Sequence, residues 1–395
     1  MIIVIAVDSY NEANGGTIAT MRIAEALKAK GHEVRIVAAV HKDPSDPYFY
    51  KIPGFVLPGA EGAQESMVFL FGKNDKETFE KAIRGADVVL VQFPFLMAKG
   101  VVKTAKRLKV PVVGSFHVQP QNIMVALGKK SKILERIIWI SFKHFLFKRV
   151  DTIISPSKFA ADLLTSEGVR ARHKVISNGI PAEYVPGDYT RPGWFGDKMV
   201  LISVGRHAGE KRQKLLIEGV KRSKYKDQIQ LILAGKGEDT EELRLLSSTL
   251  PVKPHIEYIS DEDKLRFLNT ADMYVHGSIV ELESLSTAEA VGCGLPCLIS
   301  DSKHSAASQF ALDDRFVFHS DDPDDLARKL DYWYEHLDEL RSTEMKEKML
   351  AMAEQYRFER SINEYESFLA EMAGKKILKK ERDLPEEKDP KSRRA

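Results

Sequence analysis

Short runs of β-branched and aliphatic residues alternate with helix-length segments along most of the chain. In the first half these runs are Ile2–Val7, Glu33–Val40, Asp87–Val91, Val110–Gly114 and Thr152–Ser155, and a helix is expected from about Thr17 to Lys30. In the second half they are Met199–Val204, Gln230–Ala234, Ile256–Ile259, Met273–His276 and Pro296–Ser300. This alternation is typical of βαβ units and a parallel sheet. The pattern therefore predicts an α/β protein with two Rossmann-like, doubly wound domains.

Proline and glycine interrupt the pattern near the middle of the chain. Residues 181–196 contain three Pro and three Gly, a composition typical of a linker. We therefore predict a first domain over residues 1–185, a linker over 186–198 and a second domain over 199–350. A helical segment, 351–373, follows. Residues 374–395 have so few apolar side chains that a disordered, charged tail is expected.

The composition is that of an ordinary folded protein. Of the 395 residues, 43% are hydrophobic and 29% are charged, and no apolar run reaches the ~18 residues that a membrane-spanning helix needs. No basic segment precedes the first strand, which argues against a signal sequence. Cys293 and Cys297 are the only cysteines. We therefore expect no disulfide framework, no zinc site and a cytoplasmic location.

Charge is distributed unevenly between the two halves. Residues 1–185 carry 26 Lys and Arg against 17 Asp and Glu, a net charge of +9, whereas residues 186–395 carry 33 against 40, a net charge of −7. The stretch 95–150 alone has 12 Lys and Arg and a single acid, Glu135. A strongly positive local field follows, and an anionic partner is expected there.

Glycine and cationic residues follow several of the predicted strands. Gly15 and Gly16 lie in the turn between the first strand and the first helix, where backbone N–H groups can approach an anion. Arg206 and Lys211 follow the first strand of the second domain and form a candidate clamp for a diphosphate. Gly235 lies in a Gly-x-Gly turn that could admit a base or a ribose. A plain tight turn and solvated surface charges are the alternatives, and the missing Gly-x-Gly-x-x-Gly counts against a dinucleotide cofactor.

Two carboxylates, Glu281 and Glu289, lie eight residues apart around the start of a predicted helix. A carboxylate accepts hydrogen bonds from sugar hydroxyls and is a poor partner for phosphate. This spacing therefore suits the recognition of a polyol. The alternative is that both acids are present because the helix dipole favours negative charge near a helix N-terminus.

The order of these motifs resembles that of the family 4 retaining glycosyltransferases, which have the GT-B architecture. The resemblance extends from Met1 to about Met372. Its elements are the Gly15-Gly16 turn, Phe116-His117, Ser177-Asn178-Gly179-Ile180, Gly205-Arg206 with Lys211, and Glu281 with Glu289 before Gly294-Leu295-Pro296. It implies two Rossmann-like domains that face each other across a cleft. It also implies that the C-terminal helix, 351–373, crosses back to the first domain.

The resemblance implies a donor site in the second domain. Arg206 and Lys211 would hold the diphosphate of a nucleotide-sugar, for which we favour a UDP-sugar over a GDP-sugar. Glu289 would bind the ribose. The backbone of Ser284, Leu285 and Ser286 would contact the sugar and the phosphate.

Two further roles concern the reacting sugar. Glu281 would bind the hydroxyls of the donor sugar, and His117 would lie beside the reacting carbon, so that these two are the candidate catalytic residues. Gly16 would approach the diphosphate from the first domain. A structural histidine is the alternative for His117.

The sequence departs from the family pattern in three places. Positions 282 and 284, often Gly in the family, are Leu and Ser, and Arg212 replaces another common Gly. The backbone N–H groups remain, but the pocket for the donor sugar is expected to differ. Asp261-Glu262-Asp263 resembles a metal-binding Asp-x-Asp, but Ser260 before it favours a capped helix start with acids in its first turn. We therefore predict no metal and no cofactor.

A basic segment, Lys129–Arg149, is the candidate for contact with the acceptor. Leu134, Ile138, Phe142 and Leu146 form one helical stripe that is expected to face the core. Trp139, Ile140 and Phe147 are expected to point outward among cations. We predict that Lys129, Lys130, Lys132, Arg136 and Trp139 contact an anionic membrane surface. The alternative is a core helix with a solvated basic face.

These observations lead to one function with several alternatives. The prediction is a retaining transfer of a hexose to a hydroxyl of diacylglycerol or of a lipid-linked glycan, by a protein on the inner face of the cell membrane. A nucleotide-sugar epimerase, a phosphorylase and a transferase with a soluble acceptor are the alternatives within the fold. Binding of nucleic acid would explain the basic stretch but not Glu281 and Glu289, so no nucleic-acid partner is expected.

Overall fold

Two parallel β-sheets, one in each half of the chain, organise the protein. The structure is a computed structural model that describes residues 1–12, 14–56, 69–129 and 131–375. Across the first sheet the strands are, in order, Arg172–Val175, Thr152–Ser155, Val112–Ser115, Val88–Val91, Ile2–Ala6, Glu33–Ala38 and Phe49–Lys51. Across the second they are His255–Glu257, Ile229–Ala234, Met199–Val204, Met273–His276, Cys297–Ser300 and Val317–Phe318.

Helices connect the strands, as the alternating pattern predicts. In the first half the described helices are Gly15–Ala29, Lys76–Ile83, Leu96–Arg107, Pro120–Ala126, Lys132–Phe142 and Lys158–Ser166. In the second half they are Gln213–Arg222, Thr240–Ser247, Asp261–Thr270, Leu285–Gly292, Pro323–Glu335, Leu337–Leu340, Thr343–Ala353 and Phe358–Met372. The predicted first helix thus begins two residues earlier than expected, because Asn14 caps it by accepting hydrogen bonds from the N–H groups of Gly16 and Thr17.

The strand order reverses once in each sheet, and these reversals fix where a ligand can bind. In the first sheet the reversal lies between Ile2–Ala6 and Val88–Val91, and in the second between Met199–Val204 and Met273–His276. Open α/β sheets bind ligands at the carboxyl ends of the strands beside such a reversal. Gly15 and Gly16, predicted to lie in a turn, are the first two residues of the helix that comes after the strand Ile2–Ala6, and Arg206 follows the strand Met199–Val204. All three therefore lie at binding edges.

The chain passes between the two domains at two points that are hydrogen-bonded to each other. The N–H of Ile180 donates to the carbonyl of Tyr356 at 2.6 Å, and the N–H of Phe358 donates to the carbonyl of Ile180 at 2.9 Å. The final helix, Phe358–Met372, packs Ile362, Tyr365, Phe368 and Leu369 into the core of the first sheet. We name the paired segments Ser177–Ile180 and Tyr356–Phe358 the double crossing.

Gly179 provides a test of how tightly the double crossing is packed. Its φ is +82°, and a Cβ at this position would lie 2.6 Å from Cα of Phe358. Gly179→Ala should therefore cost the ~1–2 kcal/mol of a left-handed alanine and a further ~1–3 kcal/mol for the overlap. The measurement is the midpoint of urea unfolding.

Gly168→Ala is the matched control for this prediction. Gly168 has a φ of +76° and nothing within 4 Å of an added Cβ, so only the backbone cost applies. Equal losses of stability in the two variants would show that the double crossing is loosely packed.

Candidate active site

The loops at the carboxyl ends of the two sheets contact each other directly. Nε2 of Gln119 in the first domain donates a hydrogen bond to the carbonyl of His304 in the second at 2.9 Å. A Cβ added to Gly15 would lie 3.7 Å from Cδ1 of Leu285. The start of the helix Gly15–Ala29 therefore lies against the start of the helix Leu285–Gly292, and the two binding edges form the walls of one cleft.

Lys211 and Glu281 form an ion pair in this cleft. Nζ of Lys211 lies 2.6 Å from Oε1 of Glu281, and Nε2 of His276 lies 3.5 Å from the same oxygen. Burial alone would raise the pKa of Glu281, but Lys211 and His276 hold it well below its usual range. Glu281 is therefore an anion with only hydrogen-bond acceptors to offer, as binding of sugar hydroxyls requires.

Glu289 is held by one cation from each domain. Its Oε1 lies 3.1 Å from Nη2 of Arg22, on the helix Gly15–Ala29, and its Oε2 lies 3.3 Å from Nζ of Lys264. Neither Arg22 nor Lys264 was predicted, because both are remote in sequence and lack a local motif. A ribose hydroxyl would have to share or replace one of these contacts to reach Glu289.

Two non-glycine residues in the loops near Glu281 have a positive φ, a conformation that glycine usually provides. Ser284, which precedes the helix Leu285–Gly292, has a φ of +81°, and Arg212 has a φ of +57°. These are two of the positions at which the sequence departs from glycine. A non-glycine residue in this region is strained by ~1–3 kcal/mol, so the surrounding structure must enforce the conformation. Ser284 is fixed in part by a 2.8 Å hydrogen bond between its hydroxyl and that of Thr287.

A residue of the strand Met273–His276 also stabilises the start of the helix Leu285–Gly292. The hydroxyl of Tyr274 donates to the hydroxyl oxygen of Ser286 at 2.9 Å. The first N–H groups of a helix have no partner within the helix and attract anions. Ser284, Leu285 and Ser286 therefore offer the N–H groups that the prediction assigns to phosphate and sugar, and that assignment stays a prediction.

Arg206 and Gly235 lie in the loops that follow the strands Met199–Val204 and Ile229–Ala234. Arg206 pairs with Glu210 at 2.7 Å and with Glu238 at 3.2 Å. Its guanidinium would have to break these ion pairs to bind a diphosphate. A Cβ on Gly235 would lie 1.9 Å from the carbonyl oxygen of Gly205. Backbone packing alone therefore requires glycine at position 235, whether or not a donor contacts it.

His117 lies beside the Gly15-Gly16 turn. A Cβ on Gly16 would lie 3.0 Å from Cβ of His117 and from the ring of Phe93. Nε2 of His117 is 2.9 Å from Oε1 of Gln92, and burial lowers the pKa of His117 to about 4. The imidazole is therefore neutral at physiological pH, and a proton on Nε2 completes the hydrogen bond to Gln92.

The loop residues Leu282 and Glu283 dock onto the first domain. Leu282 packs into the hydrophobic core of that domain, and its carbonyl accepts a 2.5 Å hydrogen bond from the hydroxyl of Ser157. Oε2 of Glu283 accepts a 2.9 Å hydrogen bond from the N–H of Asn178 in the double crossing. Burial raises the pKa of Glu283 to about 7, against hydrogen bonds from Ser177 and Asn178 that lower it.

The helix Lys132–Phe142 is amphipathic, and Ile140 is exposed as predicted, but the other two residues predicted to point outward are not. Trp139 and Phe147 are buried, and their rings pack around Phe116. Trp139 therefore faces the core, and its assignment as a membrane contact is wrong. The exposed apolar side chains are Ile133, Ile137 and Ile140, with 75%, 53% and 57% of their surface exposed. We name these three the isoleucine row.

Cations surround the isoleucine row. Lys129, Lys132 and Arg136 are exposed, as a contact with an anionic surface requires. Lys130, predicted to join them, lies outside the described residues, as does nearly all of the predicted tail, 374–395. The described part of the chain contains no helix that is long and apolar enough to cross a membrane.

Asp261 and Asp263 lie at a capped helix start. The hydroxyl of Ser260 accepts a 3.0 Å hydrogen bond from the N–H of Asp263, and the carboxylate of Asp263 pairs with Arg266 at 2.6 Å. Within residues 1–12, 14–56, 69–129 and 131–375, no three His, Cys, Asp or Glu side chains are grouped so that they could hold a metal ion. Metal independence stays a prediction.

Two parallel-sheet domains that meet at their binding edges define a glycosyltransferase of the GT-B type. A model of the glycosyl transferases group 1 matches residues 190–350, and a model of Glycosyltransferase Family 4 matches residues 13–184. The chain therefore belongs to the family 4 glycosyltransferases. The predicted family, fold and class of enzyme are confirmed.

Relatives of the chain share this fold at low sequence identity. An alpha-monoglucosyldiacylglycerol synthase from Streptococcus pneumoniae is 23% identical over 324 residues, which cover 74% of this chain and 69% of the relative. A GDP-mannose-dependent alpha-mannosyltransferase from Mycolicibacterium smegmatis is 22% identical over 315 residues, covering 76% and 80%. Anabaena Alr3699/HepE in complex with UDP has a TM-score of 0.70 at 14% identity, with 94% of this chain and 100% of that chain covered.

The ion pair of Lys211 and the carboxylate of Glu289 provide the first test of the site. Lys211→Ala and Glu289→Gln should each lower the rate of sugar transfer at least ~10-fold, because each removes a charge from a buried polar site. Initial rates are the measurement. Lys221→Ala and Glu347→Gln, which change exposed residues of the same types, are the controls. Near-normal rates in both site variants would refute the assignment.

Glu283 provides a second test, through the pH dependence of stability. Its pKa of about 7 in the folded state exceeds the ordinary value of 4.5, so the native protein binds more protons than the unfolded chain between these values. The stability that this carboxyl contributes is present below about pH 4.5 and is lost as the pH rises through about 7. Glu283→Gln, which mimics the protonated acid, should remove this loss.

The expected result is a difference in the free energy of unfolding that grows with pH. Relative to the wild type, the Gln variant should gain up to about 3 kcal/mol between about pH 5 and about pH 8, as measured by urea unfolding. Asp8, whose pKa burial also raises to about 7, is common to both proteins and cancels. Parallel pH profiles would contradict the prediction.

Proposed function

We propose that the protein is a retaining glycosyltransferase that moves a hexose from a UDP-sugar to a hydroxyl of a membrane lipid such as diacylglycerol or a lipid-linked glycan. The single observation that supports the acceptor class is the exposed isoleucine row, with the exposed cations Lys129, Lys132 and Arg136 close to it in sequence. Sugar transfer to a soluble acceptor gives no reason to expose three isoleucines on one helix. The protein would act at the inner face of the cell membrane.

The donor part of the proposal rests on the charges of the cleft. A nucleotide diphosphate is an anion, and Lys211, Arg206 and the N-terminus of the helix Leu285–Gly292 are fixed positive groups at one edge of the second sheet. Fixed positive charge in a closed cleft can stabilise a leaving diphosphate. Glu281 and Glu289 are then available for the hydroxyls of the sugar and the ribose.

The proposed reaction needs no enzymatic nucleophile. The bond between the anomeric carbon and the diphosphate oxygen breaks, and a bond from the acceptor oxygen forms on the same face of the sugar. Because the new bond forms on the face that the diphosphate leaves, the configuration is retained, and the proton of the acceptor hydroxyl passes to the leaving phosphate. Glu281 is engaged by Lys211 and His117 is neutral, which suits binding and orientation better than attack on the sugar. Contact between the domains excludes water that would hydrolyse the donor.

The relatives support the choice of donor and acceptor. The alpha-monoglucosyldiacylglycerol synthase is named for a glucosylated lipid, and the HepE structure contains UDP. The alpha-mannosyltransferase depends on GDP-mannose, which makes a GDP-sugar the second candidate. The lipid surface would attract Lys129, Lys132 and Arg136 by about 1 kcal/mol each, and the isoleucine row would enter the headgroup boundary.

The test is sugar transfer with a panel of donors. Purified protein is incubated with UDP-glucose, UDP-galactose or GDP-mannose and with vesicles that contain diacylglycerol, in EDTA and in Mg²⁺. We expect an α-linked glycolipid, identified by NMR, from one UDP-sugar and at equal rates in both buffers. Donor turnover without an acceptor that yields an epimerised nucleotide-sugar or a sugar phosphate, rather than the free sugar of slow hydrolysis, would favour the epimerase or the phosphorylase. A product from GDP-mannose alone would overturn the choice of UDP.

A variant of the isoleucine row separates the acceptor from the donor. Changing Ile133, Ile137 and Ile140 together to Ser should lower transfer to vesicle lipid ~10-fold or more and leave slow hydrolysis of the donor unchanged. Leu245→Ser with Tyr258→Ser is the matched control, because these side chains are 74% and 66% exposed in the second domain. Equal rates on vesicles for all three proteins would leave a soluble acceptor as the better assignment.

A further inference from the structure

A second cationic surface lies next to the isoleucine row and belongs to no site described above. It is a groove of about 300 Å³ between the helix Leu96–Arg107 and the segment that follows the helix Lys132–Phe142. Its lining consists of Lys99, Val102, Lys103, Lys106, Lys148 and Arg149. We name it the cationic groove.

The cations of the groove are not neutralised by the protein. Within the described part of the chain, none of the five forms an ion pair with a carboxylate. Arg107, the next residue of the same helix, shows the contrast, since it pairs with Glu80 at 2.5 Å. Five like charges around one concave surface repel each other, and an anion that binds between them would relieve this repulsion.

The pKa of His144 reflects the positive electrostatic potential of the cationic groove. Its Nε2 accepts a 3.0 Å hydrogen bond from Nζ of Lys99, and its carbonyl accepts one from Nε of Arg149 at 2.6 Å. The pKa of His144 lies below its usual value, chiefly because of Lys99 and, after a small effect of burial, Arg149 and Lys148. The groove therefore suppresses a further positive charge.

The backbone places the groove at one end of the isoleucine row. His144 lies in a π-helical turn, Lys143–Phe147, that directly continues the helix of Ile133, Ile137 and Ile140. Such turns are frequent at functional sites. An apolar row that continues into a cationic groove matches a lipid, whose acyl chains and headgroup are joined in the same order.

We propose that the cationic groove binds a phosphate-bearing anion and that, in the membrane-bound enzyme, this anion is the headgroup of an acidic phospholipid. The inference rests on the proposed membrane function and adds a headgroup site to it. Lys and Arg are the usual ligands of phosphate, Arg through its planar fork and Lys as a point charge. The lipid bound here is a membrane component and is distinct from the sugar acceptor.

The test compares binding to two kinds of anionic vesicle. Phosphatidylcholine vesicles contain the same fraction of either phosphatidylglycerol or oleate, which is anionic but has no phosphate. The variant K99Q/K103Q/K106Q should bind phosphatidylglycerol vesicles more than ~100-fold more weakly than the wild type, because it loses its contacts with phosphate in addition to the general attraction of about 1 kcal/mol for each lysine near an anionic surface. Its loss on oleate vesicles should be clearly smaller.

The control variant K221Q/K224Q/K226Q removes three exposed lysines from the second domain and should bind within about 2-fold of the wild type. If the groove variant loses affinity equally for the two kinds of vesicle, the groove attracts any anionic surface without recognising phosphate, and the headgroup site is overturned. So would a control variant that is weakened as much as the groove variant.

Titration with inorganic phosphate distinguishes a lipid headgroup from a soluble phosphate as the ligand of the groove. Followed by NMR, the His144 ring of the wild type should respond weakly to inorganic phosphate, compared with chloride at equal ionic strength, and strongly to phosphatidylglycerol vesicles. A strong response to inorganic phosphate with no preference between vesicles would make the groove a site for a soluble anion and overturn the lipid assignment. Glycolipid formation is measured separately, so the proposed function can hold while the headgroup site fails.

Discussion

The loop Glu281–Ser284 belongs to the second domain by sequence, yet its two middle residues are bound by the first. Leu282 fills part of the first domain's hydrophobic core, and Glu283 accepts a hydrogen bond from the double crossing. The residues on either side of them face the cleft, Glu281 through its ion pair with Lys211 and Ser284 at the start of the helix. The shape of the donor-sugar pocket therefore depends on contact between the domains.

This dependence connects closure of the cleft to the geometry of the site. Ser284 is held at a φ of +81°, which costs ~1–3 kcal/mol, and the hydrogen bond to Thr287 offsets part of this cost. The docking of Leu282 and Glu283 offsets that cost only while the domains touch. Arg22 adds a second dependence, because it brings a cation of the first domain to Glu289. Separation of the domains would release both carboxylates of the site from part of their surroundings, as loading of a donor requires.

The sequence alone predicts those site residues that come directly after a strand or directly before a helix. Gly16, Lys211 and Glu281 could be placed because the carboxyl ends of parallel strands meet at one edge of a sheet. Arg22, Lys264 and Glu283 could not, because each acquires its role from a contact more than 20 residues away in sequence. The position of Glu283 beside Glu281 was visible, but only the docked structure explains a buried acid there.

The helix Lys132–Phe142 shows a different limit of sequence reasoning. Its four-residue period correctly identifies the stripe Leu134, Ile138, Phe142 and Leu146, which packs into the core, but it does not show that Trp139 beside the stripe is also buried. Trp139 and Phe147 fill the space around Phe116, and Phe142 packs against both of them, so this core needs large rings on that side of the helix. Ile133, Ile137 and Ile140 remain outside, on the half of the chain with a net charge of +9, whereas the other half has a net charge of −7. With a net charge of only +2, the chain has little overall attraction to an anionic surface, but its charge asymmetry would turn the isoleucine row towards such a surface and the second domain away from it.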